Sequence, residues 1–565
     1  MNLKINEGRQ NQAECIALAS RVLVIGLDGV TWDVLSPLME SDRMPRLREV
    51  VERGASGVLR STTPPITPAA WTTFMTGKQP GAHGIIDFER YDPLTNRLKF
   101  NSTRCLEHVR NIWQIAGDAG LRVGAVNIPM TYPPIPVHGF MVSGFETPGP
   151  HSDFVYPAEL KREILSRWPD PTLRAKWRRQ PLGGDGLFRQ NINYVCRSFH
   201  QGAEMTKHLA DRFGWDLLMA VFKLTDNLQH KTWKYIDPRW ANRHPRRRDM
   251  VYEAFGECDK AVGILLDYAA QHDATVMMVS DHGHGSLEGR VQPNWLLKRW
   301  GYLHLHGGGG RGVTRGRHWW DRLRGKTKKF AREGNILHDL AVDFSRTRAC
   351  VMHAGMAGFL YLNLKGRQPC GIVEPSDYER LRDEIGERLL SVRSEPRRLP
   401  TSAGDETSQS GVSLFPEVHK PEELYRCSRQ DQPWLPDLML IPQESLAVAR
   451  KIRAPRSVQW LPYRKIEGTH RPNGILASFG PGIAHRTGTR AHIVDCAPTI
   501  LAMLGLPVPE DMQGRVLTEL FDRPVKVKSA SASVTSTRSD ETGDVYSEAE
   551  LEKVTERLSD LGYLE

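Results

Sequence analysis

The chain alternates short, fully apolar runs with amphipathic stretches. VLVIGL (22–27) is apolar throughout and is followed by Asp28-Gly29; LLMAVF (217–222) and TVMMV (275–279) repeat the pattern. Runs of this length without polar alternation predict strands buried on both faces, as in a parallel sheet. Between them lie helical patterns. RMPRLREVVERG predicts a helix stopped at Gly54 before a strand, and VYEAFGECDKAVGILLDYAAQ has separate polar and apolar faces. Strands and helices in this order predict an α/β fold, a mostly parallel sheet with helices on both faces. In open sheets of that kind, sites form beyond the C-terminal strand ends. The sequence places Asp28 at one such end and the pair Asp281-His282 at another. Asp28 also suits the N-cap of the helix TWDVLSPLMES, and the Asp–His pair also suits a hydrogen-bonded turn.

The stretch TPPITPAAWTTFMTGKQPGAHGI (63–85) predicts a helix with both ends marked. Thr67 is a good N-cap, Pro68 suits the first helical position, and Gly77 is placed to end the helix in a left-handed turn. Trp71, Phe74 and Met75 form its apolar stripe. The Thr67 hydroxyl would then sit where backbone N–H groups and the helix dipole favour an anion. After the second apolar run come Asp226 and His230, four apart, so that both can reach one metal ion from one helical face. His284 reads as an outer partner of Asp281-His282 or as a surface residue. His470, in GTHRPNG, reads as a turn residue before a core strand and is the last candidate ligand.

Composition narrows the class. With 565 residues, 40% hydrophobic and 25% charged, the chain is ordinary for a soluble globular protein and long enough for one large α/β domain with insertions. Eight scattered cysteines without a CxxC pair argue against a thiolate zinc site and a disulfide framework, and fit a reduced cytoplasm. The polar N-terminus is followed by no signal-type apolar region, and no apolar run is long enough to span a bilayer. A net charge of +10 suits phosphate-bearing partners and equally suits a solvated basic surface. Residues 306–348 are glycine-rich and then strongly basic, with Trp319 and Trp320 among the charges. That composition reads first as a solvated insertion and second as a grip for nucleic acid. The expected organisation is a flexible leader (1–20), a core in two parts (21–300 and 466–525), a cap-like insertion containing the basic segment (301–465), and a low-complexity tail with a short C-terminal helix (526–565).

GLDG with Asp28, ITPAAWTTFMTGKQPGAHGI with Thr67, TDNLQH with Asp226 and His230, SDHGHG with Asp281 and His282, and GTHRPNG with His470 occur in this order. The set resembles the alkaline phosphatase superfamily and, within it, the type I phosphodiesterase/nucleotide pyrophosphatase family. The VDCAPTILAMLGLPVPEDMQGR segment is similar as well. The resemblance implies an alkaline-phosphatase-like sandwich and a site for two divalent metal ions. One ion would be held by Asp226, His230 and His470, the other by Asp28, Asp281, His282 and the Thr67 oxygen. The ions are usually zinc, and carboxylate and imidazole ligands also suit manganese or iron. The implied activity is hydrolysis of a small phosphoester by Thr67 through a phospho-threonine. One departure concerns substrate: where nucleotide pyrophosphatases place an asparagine that binds a phosphoryl oxygen, this chain has Phe88, which cannot donate a hydrogen bond. The Cys/Ser-x-Pro-x-Arg pattern of sulfatases is missing from TPPITPAAW. Two alternatives stay open: phosphoryl transfer to an acceptor alcohol, and polyanion binding by a basic protein with a vestigial site. The intact ligand set favours the hydrolase.

Overall fold

The computed structural model describes residues 18–95, 97–168, 177, 184–306, 342–395, 397–400, 406–409, 411–430, 432–450, 452, 456–532 and 545–561. The leader through residue 17, most of the basic segment after His306, and residues 533–544 of the tail lie outside the described residues.

The three apolar runs form the centre of a nine-stranded sheet. In chain order its strands are β1 (Val22–Leu27), β2 (Ala55–Arg60), β3 (Val123–Ile128), β4 (Gly139–Ser143), β5 (Val155–Tyr156), β6 (Leu217–Phe222), β7 (Thr275–Val279), and, after a large excursion, Asn473–Phe479 and Arg486–His492. β1 lies between β6 and β7 and pairs with both in parallel, Leu27 opposite Phe222 and Gly26 opposite Val279. β3 and β4 continue the parallel run beyond β6. Asn473–Phe479 pairs antiparallel with β2 and β7.

Alternate residues of the central strands feed two cores. Leu23, Ile25, Leu218, Ala220, Val276 and Met278 face the first, with the long helices α2 (Asp185–Phe213) and α4 (Pro245–Gln271). Val22, Val24, Leu217, Met219, Met277 and Val279 face the second, with α1 (Thr67–Thr76) and Cys496–Met503. Side chains alternate faces along a strand, so continuous apolarity fills both layers. Between α2 and α4 runs α3 (Leu224–Ile236), which starts directly after β6.

The excursion begins with β8 (Gly283–Leu287) and contains a four-stranded sheet of β9 (Ala349–His353), β10 (Gly358–Leu362), β11 (Glu417–His419) and β12 (Leu438–Ile441), covered by α5 (Tyr378–Ser391). It returns to the core through β13 (Glu467–Arg471). Asp437, just before β12, is fully buried. It accepts hydrogen bonds from Arg367 (2.6 and 2.8 Å), Arg429 (2.8 Å) and the Leu362 amide (2.6 Å). Burial alone would raise this carboxyl, but the Arg367 and Arg429 guanidinium groups hold it below the usual carboxylate range. Asp437→Asn leaves two arginines facing a neutral group. We expect a loss of about 3 kcal/mol in stability, read as a lower urea midpoint.

The last described element is α7, counting Cys496–Met503 as α6. It spans Glu548–Leu561, and Ser547 before it pairs with Glu550 in its first turn to cap it. Val554 and Leu558 are buried in the first core, and the Arg557 guanidinium donates to the carbonyls of Phe145, Thr147 (2.6 Å) and Pro148 (3.2 Å). Among the described residues, no helix is long and apolar enough to cross a membrane.

Candidate metal centre

The topology brings the site together. β1, β6 and β7 are parallel neighbours, so their C-terminal ends open on one edge. Asp28 follows β1, Lys223 follows β6, and Asp281 and His282 follow β7 by two and three residues. Asp226 and His230 lie on successive turns of α3, facing the same way. The sequence reading put His470 in a turn; it is in strand β13, antiparallel to β8 and directly opposite His284. Thr67 is also displaced by one position. Ile66 occupies the N-cap position of α1, and Thr67 is the first helical residue. The Gly77 end is as expected, at φ 65°.

All of these side chains are buried. Asp28, Asp281 and His282 offer ligand atoms within 4.8 Å of one another; so do Asp226, His230, His284 and His470. His282 Nε2 lies 3.7 Å from Asp28 Oδ1, 3.4 Å from Asp281 Oδ2 and 3.3 Å from Thr67 Oγ1. In the other cluster, Asp226 Oδ1 lies 3.3 Å from His230 Nε2 and 3.4 Å from His470 Nε2.

The backbone decides what the imidazoles present. His230 Nδ1 lies 2.9 Å from the Gly468 carbonyl, His470 Nδ1 2.8 Å from that of Pro65, His282 Nδ1 3.0 Å from that of Gly283, and His284 Nδ1 2.9 Å from that of Gly29. A carbonyl only accepts, so each Nδ1 donates a proton to it and each ring turns its Nε2 inward. Burial pushes His282 and His284 well below the ordinary imidazole range and lowers His470, which keeps them neutral. The Nε2 atoms of His230 and His470 are 3.0 Å apart, acceptor facing acceptor. Asp281 Oδ2 and His284 Nε2 are buried with no hydrogen-bond partner among the described residues. A buried unsatisfied polar atom costs about 1–3 kcal/mol. Lone pairs and carboxylates converging in this way fit divalent cations bound by oxygen and nitrogen.

The carboxylates titrate apart. Burial pushes Asp28 up to about 7, against the pull of Lys223, and burial with the Asp28 charge pushes Asp281 well above the usual carboxylate range. Asp226 is buried too, yet the Lys223 ammonium holds it well below the usual range. Lys223, unremarked in the sequence, links the two clusters. Its ammonium is 3.3 Å from Asp28 Oδ1 and pairs with Asp226 Oδ2, leaving Asp226 Oδ1 toward the histidines. The only sequence signal was a lysine closing an otherwise apolar strand run. Trp71, read as core, also orients the site: its indole N–H donates to Asp28 Oδ2 at 3.1 Å. Phe88 is buried edge-on against Phe145 with centroids 5.6 Å apart, and the Phe145 ring lies 5.2 Å from the Lys223 ammonium.

A sequence profile of the type I phosphodiesterase/nucleotide pyrophosphatase family matches residues 22–473. The chain belongs to this family. It is a hydrolase of phosphoric ester bonds in the alkaline phosphatase superfamily. No curated protein sequence matches significantly. Among solved structures, phosphonoacetate hydrolase from Sinorhizobium meliloti 1021 in complex with phosphonoformate is 15% identical with a TM-score of 0.50, over 86% of this chain and 98% of that one. Human ectonucleotide pyrophosphatase/phosphodiesterase 5 is 14% identical with a TM-score of 0.49, over 89% of this chain and 100% of that one. The hydrolase likeness shows a shared alkaline-phosphatase-like fold.

Proposed function

We propose that this family member is a metal-dependent phosphodiesterase with Thr67 as its nucleophile. The observation that carries the reading is the convergence of buried acceptors, two clusters of carboxylate and imidazole, with the Thr67 hydroxyl at the edge of one. Asp28, Asp281, His282 and the Thr67 oxygen would hold one ion; Asp226, His230 and His470 would hold the other. Two divalent ions there, zinc by preference and manganese or iron as compatible substitutes, would supply Lewis acidity that favours ionisation of the Thr67 hydroxyl and offsets phosphoryl charge.

The residues then act in sequence. Thr67 Oγ1 attacks phosphorus, the bond to the leaving alcohol or nucleotide breaks, and a phospho-threonine forms. The N-terminus of α1 directs backbone dipoles at the phosphoryl group. Water attacks the phospho-threonine, releasing the phosphoryl product and restoring the hydroxyl. Lys223 balances carboxylate charge between the clusters. Phe88 offers no amide where nucleotide pyrophosphatases present one, which favours a diester other than a nucleotide. The scattered cysteines support a reduced compartment, the cytoplasm.

A panel on zinc-reconstituted enzyme tests the substrate class. We expect bis-p-nitrophenyl phosphate to be turned over at least about tenfold faster than p-nitrophenyl phosphate, a difference near 1.4 kcal/mol in barrier. A reversed ratio would sink the diesterase reading. Product analysis with an added acceptor alcohol separates hydrolysis from phosphoryl transfer.

A further inference from the structure

We propose that His284 is a fourth protein ligand to the ion held by Asp226, His230 and His470. This rests on the metal-dependent reading above and goes beyond the seven-residue set that the family resemblance implies.

Four observations carry it. First, β8 and β13 pair antiparallel with His284 directly opposite His470, so both imidazoles leave the two-stranded ribbon on one side. Second, His284 Nε2 is 3.6 Å from Asp226 Oδ1, and its ligand atom lies within the same 4.8 Å group as those of the other three residues. Third, the ring is aimed. The Gly29 carbonyl at 2.9 Å fixes Nδ1 as the protonated nitrogen, while Trp233 lies nearly parallel to the ring and His230 meets it edge-on at 4.6 Å. Fourth, Nε2 is buried with no hydrogen-bond partner among the described residues. A histidine that only braced the Gly29 carbonyl would place its second nitrogen against a donor or water. That carbonyl, moreover, already accepts from Gln229 Nε2 at 2.8 Å.

The surrounding backbone makes room for the ring. A Cβ on Gly29 would stand 2.9 Å from both His284 Nδ1 and Asp226 Oδ1, and one on Gly468 would stand 2.9 Å from His284 Cδ2. The imidazole therefore reaches the cluster through space that two glycines leave open.

Four protein ligands saturate a tetrahedral zinc ion, whereas an open catalytic zinc keeps three. The two ions would thus be unequal. The Asp226 cluster fills first and holds its ion, and activity follows occupancy of the Asp28 cluster.

Two measurements test this. Zinc X-ray absorption on wild-type protein loaded with one equivalent of zinc counts imidazoles. Three is the expected number; two, or the single imidazole of the Asp28 cluster, overturns the proposal. His284→Gln, checked by thermal melting of the ion-free form, should weaken the tighter zinc site by more than the roughly 10–100-fold that follows loss of an orienting partner. Unchanged zinc affinity in a folded variant also overturns the proposal, and if the variant does not fold the wild-type imidazole count decides. A wild-type protein that retains no zinc overturns the metal reading as well. One that retains two ions with only two imidazoles on the first overturns the His284 assignment alone.

Discussion

Thr67→Ala should lower phosphodiester turnover by at least about a thousandfold, with folding and metal content largely unchanged. The size follows from the role. A nucleophile has no substitute within the covalent route, and what survives its removal is catalysis by binding and charge stabilisation alone. The fold should tolerate the change because Ile66, not Thr67, occupies the N-cap position of α1, and alanine suits a helical position. Zinc content and the melting curve of the variant check that part. Stopped turnover with both unchanged is the expected pattern. Normal turnover in protein free of contaminating enzyme would remove Thr67 from the mechanism. Thr67→Ser, which keeps the hydroxyl, should retain measurable activity.

Chelation should abolish turnover, and added zinc should restore it. The same experiment carries a pH signature. In the ion-free protein, Asp28 rises from its ordinary 3.8 to about 7, chiefly through burial, and burial raises Asp281 well above its ordinary range as well. A carboxyl raised on folding contributes stability below its unfolded value, and that contribution is lost as pH rises through the folded value. Ion-free protein should therefore lose the Asp28 contribution between about pH 4 and pH 7, whereas bound cations favour the ionised carboxylates. Melting temperatures of chelated and zinc-loaded protein should diverge as pH rises from 5.5 to 8. Adding zinc near pH 6.5 should release protons, measurable in weakly buffered solution. Equal melting temperatures across that range, or turnover that survives chelation, would remove the cations from the mechanism.

Much of the architecture was legible because buried parallel strands write themselves as unbroken apolar runs. The runs at 22–27, 217–222 and 275–279 are the three central strands, and the residues after them stand together at one edge. Where a side chain's role depends on a partner distant in the chain, local pattern was silent. Lys223 reads as the end of a strand, and its position between Asp28 and Asp226 exists only once β1 and β6 are adjacent. Trp71 reads as core, and it is; its indole N–H on Asp28 comes from the packing of α1 over β1. His284 was read as peripheral because its neighbours in sequence are glycines and serine. The pairing of β8 with β13 buries it opposite His470. The same pairing made His470 a strand residue, since GTHRPNG has the composition of a turn and becomes extended only against β8. Thr67 was misplaced by one position because Ile66, an unfavourable cap by propensity, fills that place beside the site.

The bond from His470 to the Pro65 carbonyl joins residues 405 apart in the chain. A polypeptide emerging from the ribosome therefore exposes Asp28, Thr67 and Asp226 long before the last imidazole is made. Early in synthesis those groups can meet cellular ions only singly and weakly. If these residues hold cations as proposed, the ligand set is complete only once β13 pairs with β8, and selection among competing cations would belong to the finished protein and not to its growing chain.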